Sequence, residues 1–121
     1  MARVLIVDDD KKFVDSTAEF LSKAGYEVIK ATNIGEGKLS AESEKPDIII
    51  LDVTLETSED GLLLGKELHQ SGVNMPIIIL ESVIKAANFN IDISELMVEA
   101  YAEKPIVMDK LLSKIKAILE R

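Results

Sequence analysis

Cysteine is absent from the 121-residue chain, so disulfides, Cys-ligated zinc and thiol nucleophiles are outside its chemistry. Long apolar runs are absent too. The longest, such as VLIV at 4–7 and IIIL at 48–51, hold four residues, far short of the ~20 that a membrane-spanning helix needs. The N-terminus, MARVLIVDDD, reaches an acidic cluster too early to hold a secretory signal. Positive charge is the minority sign, with 14 Lys and Arg against 22 Asp and Glu, a net charge of −8. Such a chain offers nucleic-acid phosphates no basic footprint. There is no internal repeat, low-complexity tract or linker. A single cytoplasmic domain is therefore expected, with surplus negative charge suited to divalent cations or basic partners.

What is present is an alternation. Short β-rich runs occur at 3–7 (RVLIV), 27–31 (EVIKA), 47–51 (DIIIL), 76–80 (PIIIL) and, more weakly, 99–103 (EAYAE). Three of them are continuous Val/Ile/Leu runs, the pattern of strands buried on both faces. Helical periodicity fills the gaps. Phe13, Thr17, Phe20, Leu21 and Ala24 share one face of a helix over 11–24 that Gly25 can close. Val107, Leu111, Leu112, Ile115, Ile118 and Leu119 form the clearest apolar stripe, over 106–120. DGLLLGKELHQSG gives another helix, closed by Gly72, and its His69 reads as a solvated surface residue. The helix over 33–44 is weaker, because Gly35 and Gly37 each cost up to about 1 kcal/mol against Ala. Residues 82–98 are the least readable. Strands alternating with helices predict an α/β fold, a five-stranded parallel sheet covered on both faces.

In an open parallel sheet, functional groups gather beyond the carboxyl ends of the strands. Asp8, Asp9 and Asp10 follow the first strand, Asp52 the third, Glu81 and Ser82 the fourth, and Lys104 and Pro105 the fifth. Each taken alone has an ordinary explanation: Asp10 as a helix N-cap, Asp52 as a turn residue, Lys104 as a solvated lysine. Their convergence on one edge is what argues for chemistry. Clustered carboxylates repel one another unless a proton or a cation intervenes. Two or three carboxylates with several waters suit Mg2+. A carboxylate beside Mg2+ and a lysine can attack a phosphoryl group and form an aspartyl phosphate.

With these residues in view, the chain resembles the receiver domain of two-component response regulators. The resemblance runs from RVLIVDDD to KAILER, through DIIILDVTL, EDGLLLGKEL, MPIIIL and YAEKPIVMDKLLSKI. It implies a doubly wound, flavodoxin-like sheet in the order 2-1-3-4-5, the order of chemotaxis receivers. It also implies roles. Asp52 would be the phosphoacceptor, supplied by a sensor histidine kinase or a histidine phosphotransfer protein. Asp9 would bind Mg2+ directly, Asp8 through water, and Thr54 through its backbone carbonyl. Lys104 would pair with phosphoryl oxygens, and Tyr101 would be the aromatic that reports activation. The domain would be a phosphoacceptor that passes its signal to a downstream output domain or protein, and not a turnover enzyme. A homodimer through the fourth helix, fifth strand and fifth helix is one outcome the resemblance allows.

The sequence also departs from the pattern. Glu81 stands where the family usually has Ser or Thr, whose hydroxyl donates to the phosphoryl group. An ionised carboxylate cannot donate, and it repels a phosphoryl group carrying about −1.5 to −2 charge. Ser82 is adjacent, but a one-residue slip on a strand points a side chain to the other face. The loop LDVTLETSEDG is one residue longer than the commonest form, with Glu56 where Pro is usual. The alternative reading is a pseudo-receiver, a binding module that keeps the fold and signals without phosphate. Glu81 argues for it; Asp8, Asp9, Asp52 and Lys104 argue against it.

Overall fold

The structure, a computed structural model, describes residues 2–52, 64, 67, 68, 70, 72, 75–82, 98–104 and 106–120, with the backbone alone at 81, 82 and 98–104. The strands are β1 (Arg3–Val7), β2 (Glu27–Ala31), β3 (Ile48–Asp52), β4 (Ile77–Ser82) and β5 (Val98–Lys104). They pair in parallel as one sheet in the order β2-β1-β3-β4-β5, as the resemblance implies. Two helices, α1 (Lys11–Lys23) and α2 (Ile34–Glu44), alternate with the first three strands, and a C-terminal helix spans Met108–Leu119. Leu64, Glu67, Leu68 and Gln70 are helical, inside the segment where sequence predicts the third helix.

β1 and β2 fall on the predicted runs. The other three extend beyond them: β3 takes in Asp52, β4 takes in Glu81 and Ser82, and β5 takes in Lys104. A charged residue ends an apolar run, but it need not end a hydrogen-bonded ladder. The site residues expected just after strands β3, β4 and β5 are therefore their last members. A bulge sets the last register. Val98 stands opposite Ile77 while Ala100 stands opposite Ile78, so Glu99 is an extra residue in β5.

The run-on apolar strands bury both faces of the sheet. On one face Leu5, Val7, Ile49, Leu51, Ile77 and Ile79 pack with Ala31, Ala41, Leu64 and Leu68. On the other Val4, Ile6, Ile48, Ile50, Ile78 and Leu80 pack with Val14 and Leu21 of α1 and with Leu111 and Ile115 of the C-terminal helix. The period-two alternation of the strands assigns successive residues to opposite layers.

The buried stripe of α1 differs from the predicted one. Val14, Thr17, Ala18 and Leu21 are buried, Phe13 and Phe20 are half-buried, and Ala24 is exposed as the C-cap. Gly25 follows at φ +100°, so the expected left-handed stop is there. In the C-terminal helix Leu111 and Ile115 are the buried pair. Val107 lies outside the first turn as the N-cap and is 56% exposed, so it does not join the predicted stripe.

Thr17 is fully buried, and its hydroxyl has no hydrogen-bond partner among the described residues. Leaving a buried hydroxyl unpaired costs about 1–3 kcal/mol, and valine has nearly the same shape without that group. Thr17→Val is expected to raise stability by about 1 kcal/mol, seen as a Tm higher by a few degrees in thermal denaturation. A lower Tm would show that the hydroxyl is satisfied in solution.

Candidate site at the carboxyl edge of the sheet

The register of the sheet brings the carboxylates together. In the β1–β3 ladder Val7 stands opposite Leu51, so the residues that follow them, Asp8 just past β1 and Asp52 at the end of β3, come level with each other. Asp8 is 0% exposed and Asp52 is 1% exposed, while Asp9 is exposed. One carboxylate oxygen from each of Asp8, Asp9 and Asp52 lies within 4.8 Å of the other two. Two strands that are neighbours in the sheet but far apart in sequence thus supply one acidic site.

Asp8 is held on two sides. Its backbone N–H donates to the carbonyl of Ala31 at 3.1 Å, which carries the β1–β2 pairing one step past the strand. Its Oδ1 accepts from the backbone N–H of Asp10 at 3.0 Å. Asp10 is the N-cap of α1, as predicted. Its Oδ1 accepts from the N–H of Phe13 at 3.2 Å, and its carbonyl accepts from the N–H of Val14 at 3.0 Å.

On the β2 side stands a second cap, which helical periodicity does not reveal. Asn33 caps α2 by accepting from the N–H of Glu36 at 2.9 Å. Glu36 Oε1 reaches back to accept from the N–H of Thr32 at 3.1 Å, the Thr32 hydroxyl at 2.9 Å and the Asn33 amide at 3.0 Å. The Thr32 donors hold the Glu36 carboxyl below its ordinary range. The signal in the sequence is Asn followed three residues later by Glu, a capping box, which offsets the weak propensity of the two glycines.

Beyond Asp52, which stands opposite Leu80, β4 runs on for two residues. Glu81 is opposite Glu103, and Ser82 is opposite Lys104. The backbone of Lys104 is thus at the same edge of the sheet as Asp8 and Asp52. Tyr101 is three residues earlier in β5, opposite Ile79. Thr54, Pro105 and His69 lie outside the described residues, as do residues 83–97 of the segment that the sequence leaves least readable.

The donor set of Asp8, Asp9 and Asp52 is all carboxylate oxygen, the hard ligand type that Mg2+ takes. Octahedral bonds of about 2.1 Å put ligand oxygens roughly 3–4.2 Å apart, so a 4.8 Å span is within a side-chain adjustment of that geometry. The residues present fit the ion.

The family model for the response regulator receiver domain matches residues 4–116. The alkaline phosphatase synthesis transcriptional regulatory protein PhoP of Bacillus subtilis (strain 168) is 36% identical over 120 residues, 98% of this chain and 49% of that protein. Response regulator MprA of Mycolicibacterium vanbaalenii is 30% identical over 119 residues, covering 98% of this chain and 51% of that one. The chain spans about half the length of these relatives. A CheY-like receiver domain protein from Methanospirillum hungatei JF-1 superposes with a TM-score of 0.81 at 32% identity, over 99% of this chain and 94% of that one. The Francisella response regulator 1452 receiver domain, at 24% identity, shares the fold with a TM-score of 0.83 over 100% and 98% of the two chains. No helix among the described residues is long and apolar enough to cross a membrane. The chain belongs to the response regulator receiver domain family.

Proposed function

We propose that this domain accepts a phosphoryl group on Asp52 from a phosphohistidine of a sensor histidine kinase or phosphotransfer protein, in a Mg2+-dependent reaction. The observation that carries the reading is the assembly of Asp8, Asp9 and Asp52 at one edge of the sheet, with two of the three buried. A carboxylate oxygen of Asp52 attacks phosphorus. The P–O bond forms as the P–N bond to the donor imidazole breaks, and the leaving imidazole nitrogen takes up a proton. Asp8, Asp9, Asp52 and the Thr54 carbonyl are the residues assigned to hold Mg2+, which when bound offsets the negative charge that nucleophile and phosphoryl group bring together. Lys104 is assigned to the phosphoryl oxygens, supported by the placement of its backbone at the same edge. The signal then leaves by a change in a partner-binding face, toward an output domain or a separate protein. The chain acts as a phosphoacceptor that shares its chemistry with enzymes and does not turn over a substrate. The assembled trio favours this over a pseudo-receiver, which has no need of buried carboxylates.

Titration with Mg2+ tests the ion site directly. Saturable binding that is lost in Asp9→Asn supports the reading, and binding unaffected by Asp9→Asn and Asp52→Asn sinks it.

Glu81 gives a second test. If its carboxylate repels the phosphoryl group, Glu81→Thr removes a like charge and restores a hydroxyl donor. The expected result is a several-fold higher phosphorylation level at fixed donor, or a several-fold longer lifetime, followed by intact mass over time. No change in either would mean that Glu81 does not face the phosphoryl group.

A further inference from the structure

Three consecutive carboxylates, Asp8, Asp9 and Asp10, follow β1, and the structure gives them three different situations. Asp8 is buried in the acidic trio, Asp9 is exposed within it, and Asp10 is exposed and outside it. Asp10 is nevertheless tied to the trio through its own backbone. Its N–H holds Oδ1 of Asp8 at 3.0 Å, while its Oδ1 holds the N–H of Phe13 at 3.2 Å and its carbonyl holds the N–H of Val14 at 3.0 Å. One residue therefore clamps a buried carboxylate on one side and the first turn of α1 on the other. Helix α1 is itself fixed to the sheet by Val14 and Leu21, so it is a firm anchor.

We infer that Asp10 is a positioning residue for the ion site. Its side chain, by capping α1, fixes the backbone N–H that orients Asp8, and this contribution of the cap is separate from that of its charge. The inference rests on the reading of the trio as a Mg2+ site. In physical terms, an uncapped first turn frays. The amide of residue 10 then loses its fixed place, and ion binding must first reorder the Asp8 carboxylate.

The substitutions that separate the two contributions are Asp10→Ser, Asp10→Asn and Asp10→Ala. All three remove the charge, but only Ser and Asn keep an oxygen able to cap. Arg3→Ala serves as a stability control. Arg3 is at the opposite end of β1, where it pairs with Glu27 at 3.2 Å and Glu44 at 2.6 Å. Two quantities are measured on the intact chain. One is the Mg2+ dissociation constant, by calorimetric titration at low and high ionic strength. The other is hydrogen exchange of the residue-10 amide in metal-free protein, by NMR.

Asp10→Ser and Asp10→Asn are expected to weaken Mg2+ binding equally, by a factor that shrinks as salt screens the lost charge. Asp10→Ala is expected to weaken it about five-fold further, the scale of one lost helix cap, and this extra factor should survive high salt. The residue-10 amide should exchange faster in the Ala variant than in the Ser variant. Arg3→Ala should lower Tm without moving either quantity. Ser and Ala variants that bind Mg2+ within about two-fold of each other, with equal amide exchange, overturn the inference and leave the receiver reading intact. Arg3→Ala that weakens binding as much as Asp10→Ala also overturns it, since the effect is then global stability. A wild-type chain with no saturable Mg2+ binding overturns the proposed function and, with it, the inference; the amide exchange rates of the Ala and Ser variants then report only whether the cap fixes the amide that holds Asp8.

Discussion

Incubated with Mg2+ and acetyl phosphate, the wild-type chain is expected to gain the mass of one phosphoryl group, and Asp52→Ala is expected to gain none. Two of the three clustered carboxylates are buried, so burial alone does not choose between Asp52 and Asp8. Its place in the sheet favours Asp52. Asp52 ends the central strand of the five, with the end of β1 on one side and Leu80 of β4 on the other. The Lys104 end of β5 is one strand further on. It is the carboxylate that the most elements surround.

The same substitution carries a stability signature that separates lost chemistry from lost folding. Three carboxylates whose oxygens approach within 4.8 Å repel one another when no cation is bound. Removing one should leave the metal-free Tm unchanged or raise it, while removing the stabilisation that Mg2+ confers by binding only the folded state. Phosphoryl uptake that persists in Asp52→Ala would move the acceptor elsewhere. A wild type that takes up nothing although it binds Mg2+ would leave the ion site standing and make Glu81 the first residue to change.

The strand order and the edge that carries the site are legible in the sequence because they depend on patterns that tertiary context rarely overrides. Continuous runs such as IIIL are buried on both faces wherever they lie, and their alternation with helices leaves a parallel sheet as the simplest solution. The convergence of Asp8, Asp9 and Asp52 follows from the rule for strand ends. What is not legible is local. The third and fourth apolar runs stop at the first charged residue, so sequence alone places Asp52 and Glu81 after strands whose ladders include them, and the weaker fifth run stops one residue short of Lys104. The bulge at Glu99 has no sequence mark that distinguishes it from a regular strand residue. The burial of Val14 and Ala18, in place of Ala24, depends on how α1 rotates against the sheet, and helical period alone leaves that angle free within a residue or so. Val107 matches the period of the C-terminal stripe, yet the helix begins one residue later.

The glycines of α2 show where a local rule is right about cost and silent about purpose. Alanine is the better helix former by up to about 1 kcal/mol, so propensity alone says that both Gly35→Ala and Gly37→Ala should stabilise. The structure gives them opposite signs. At Gly35, which is exposed, an added Cβ would meet only Asn33 Oδ1 at 3.4 Å, an ordinary contact. At Gly37, which is buried, it would meet Val7 Cγ1 at 2.8 Å, Leu64 Cδ2 at 3.1 Å and Val7 Cγ2 at 3.1 Å. Val7 is β-branched, fully buried and fixed in the sheet, so it cannot swing aside. Overpacking of this kind costs about 1–3 kcal/mol, which outweighs the propensity gain. Gly35→Ala is therefore expected to stabilise by about 0.5 kcal/mol and Gly37→Ala to destabilise by about 1–2 kcal/mol, both read from urea unfolding. Val7 immediately precedes Asp8, so the strain should reach the site: Gly37→Ala should weaken Mg2+ binding, and Gly35→Ala should not. Val7→Ala in the Gly37→Ala background tests the cause. If the methyl groups of Val7 are what α2 meets, the double variant should be more stable than the sum of the single losses allows. Simple additivity would place the cost elsewhere and free Gly37 of its role in holding α2 close to β1.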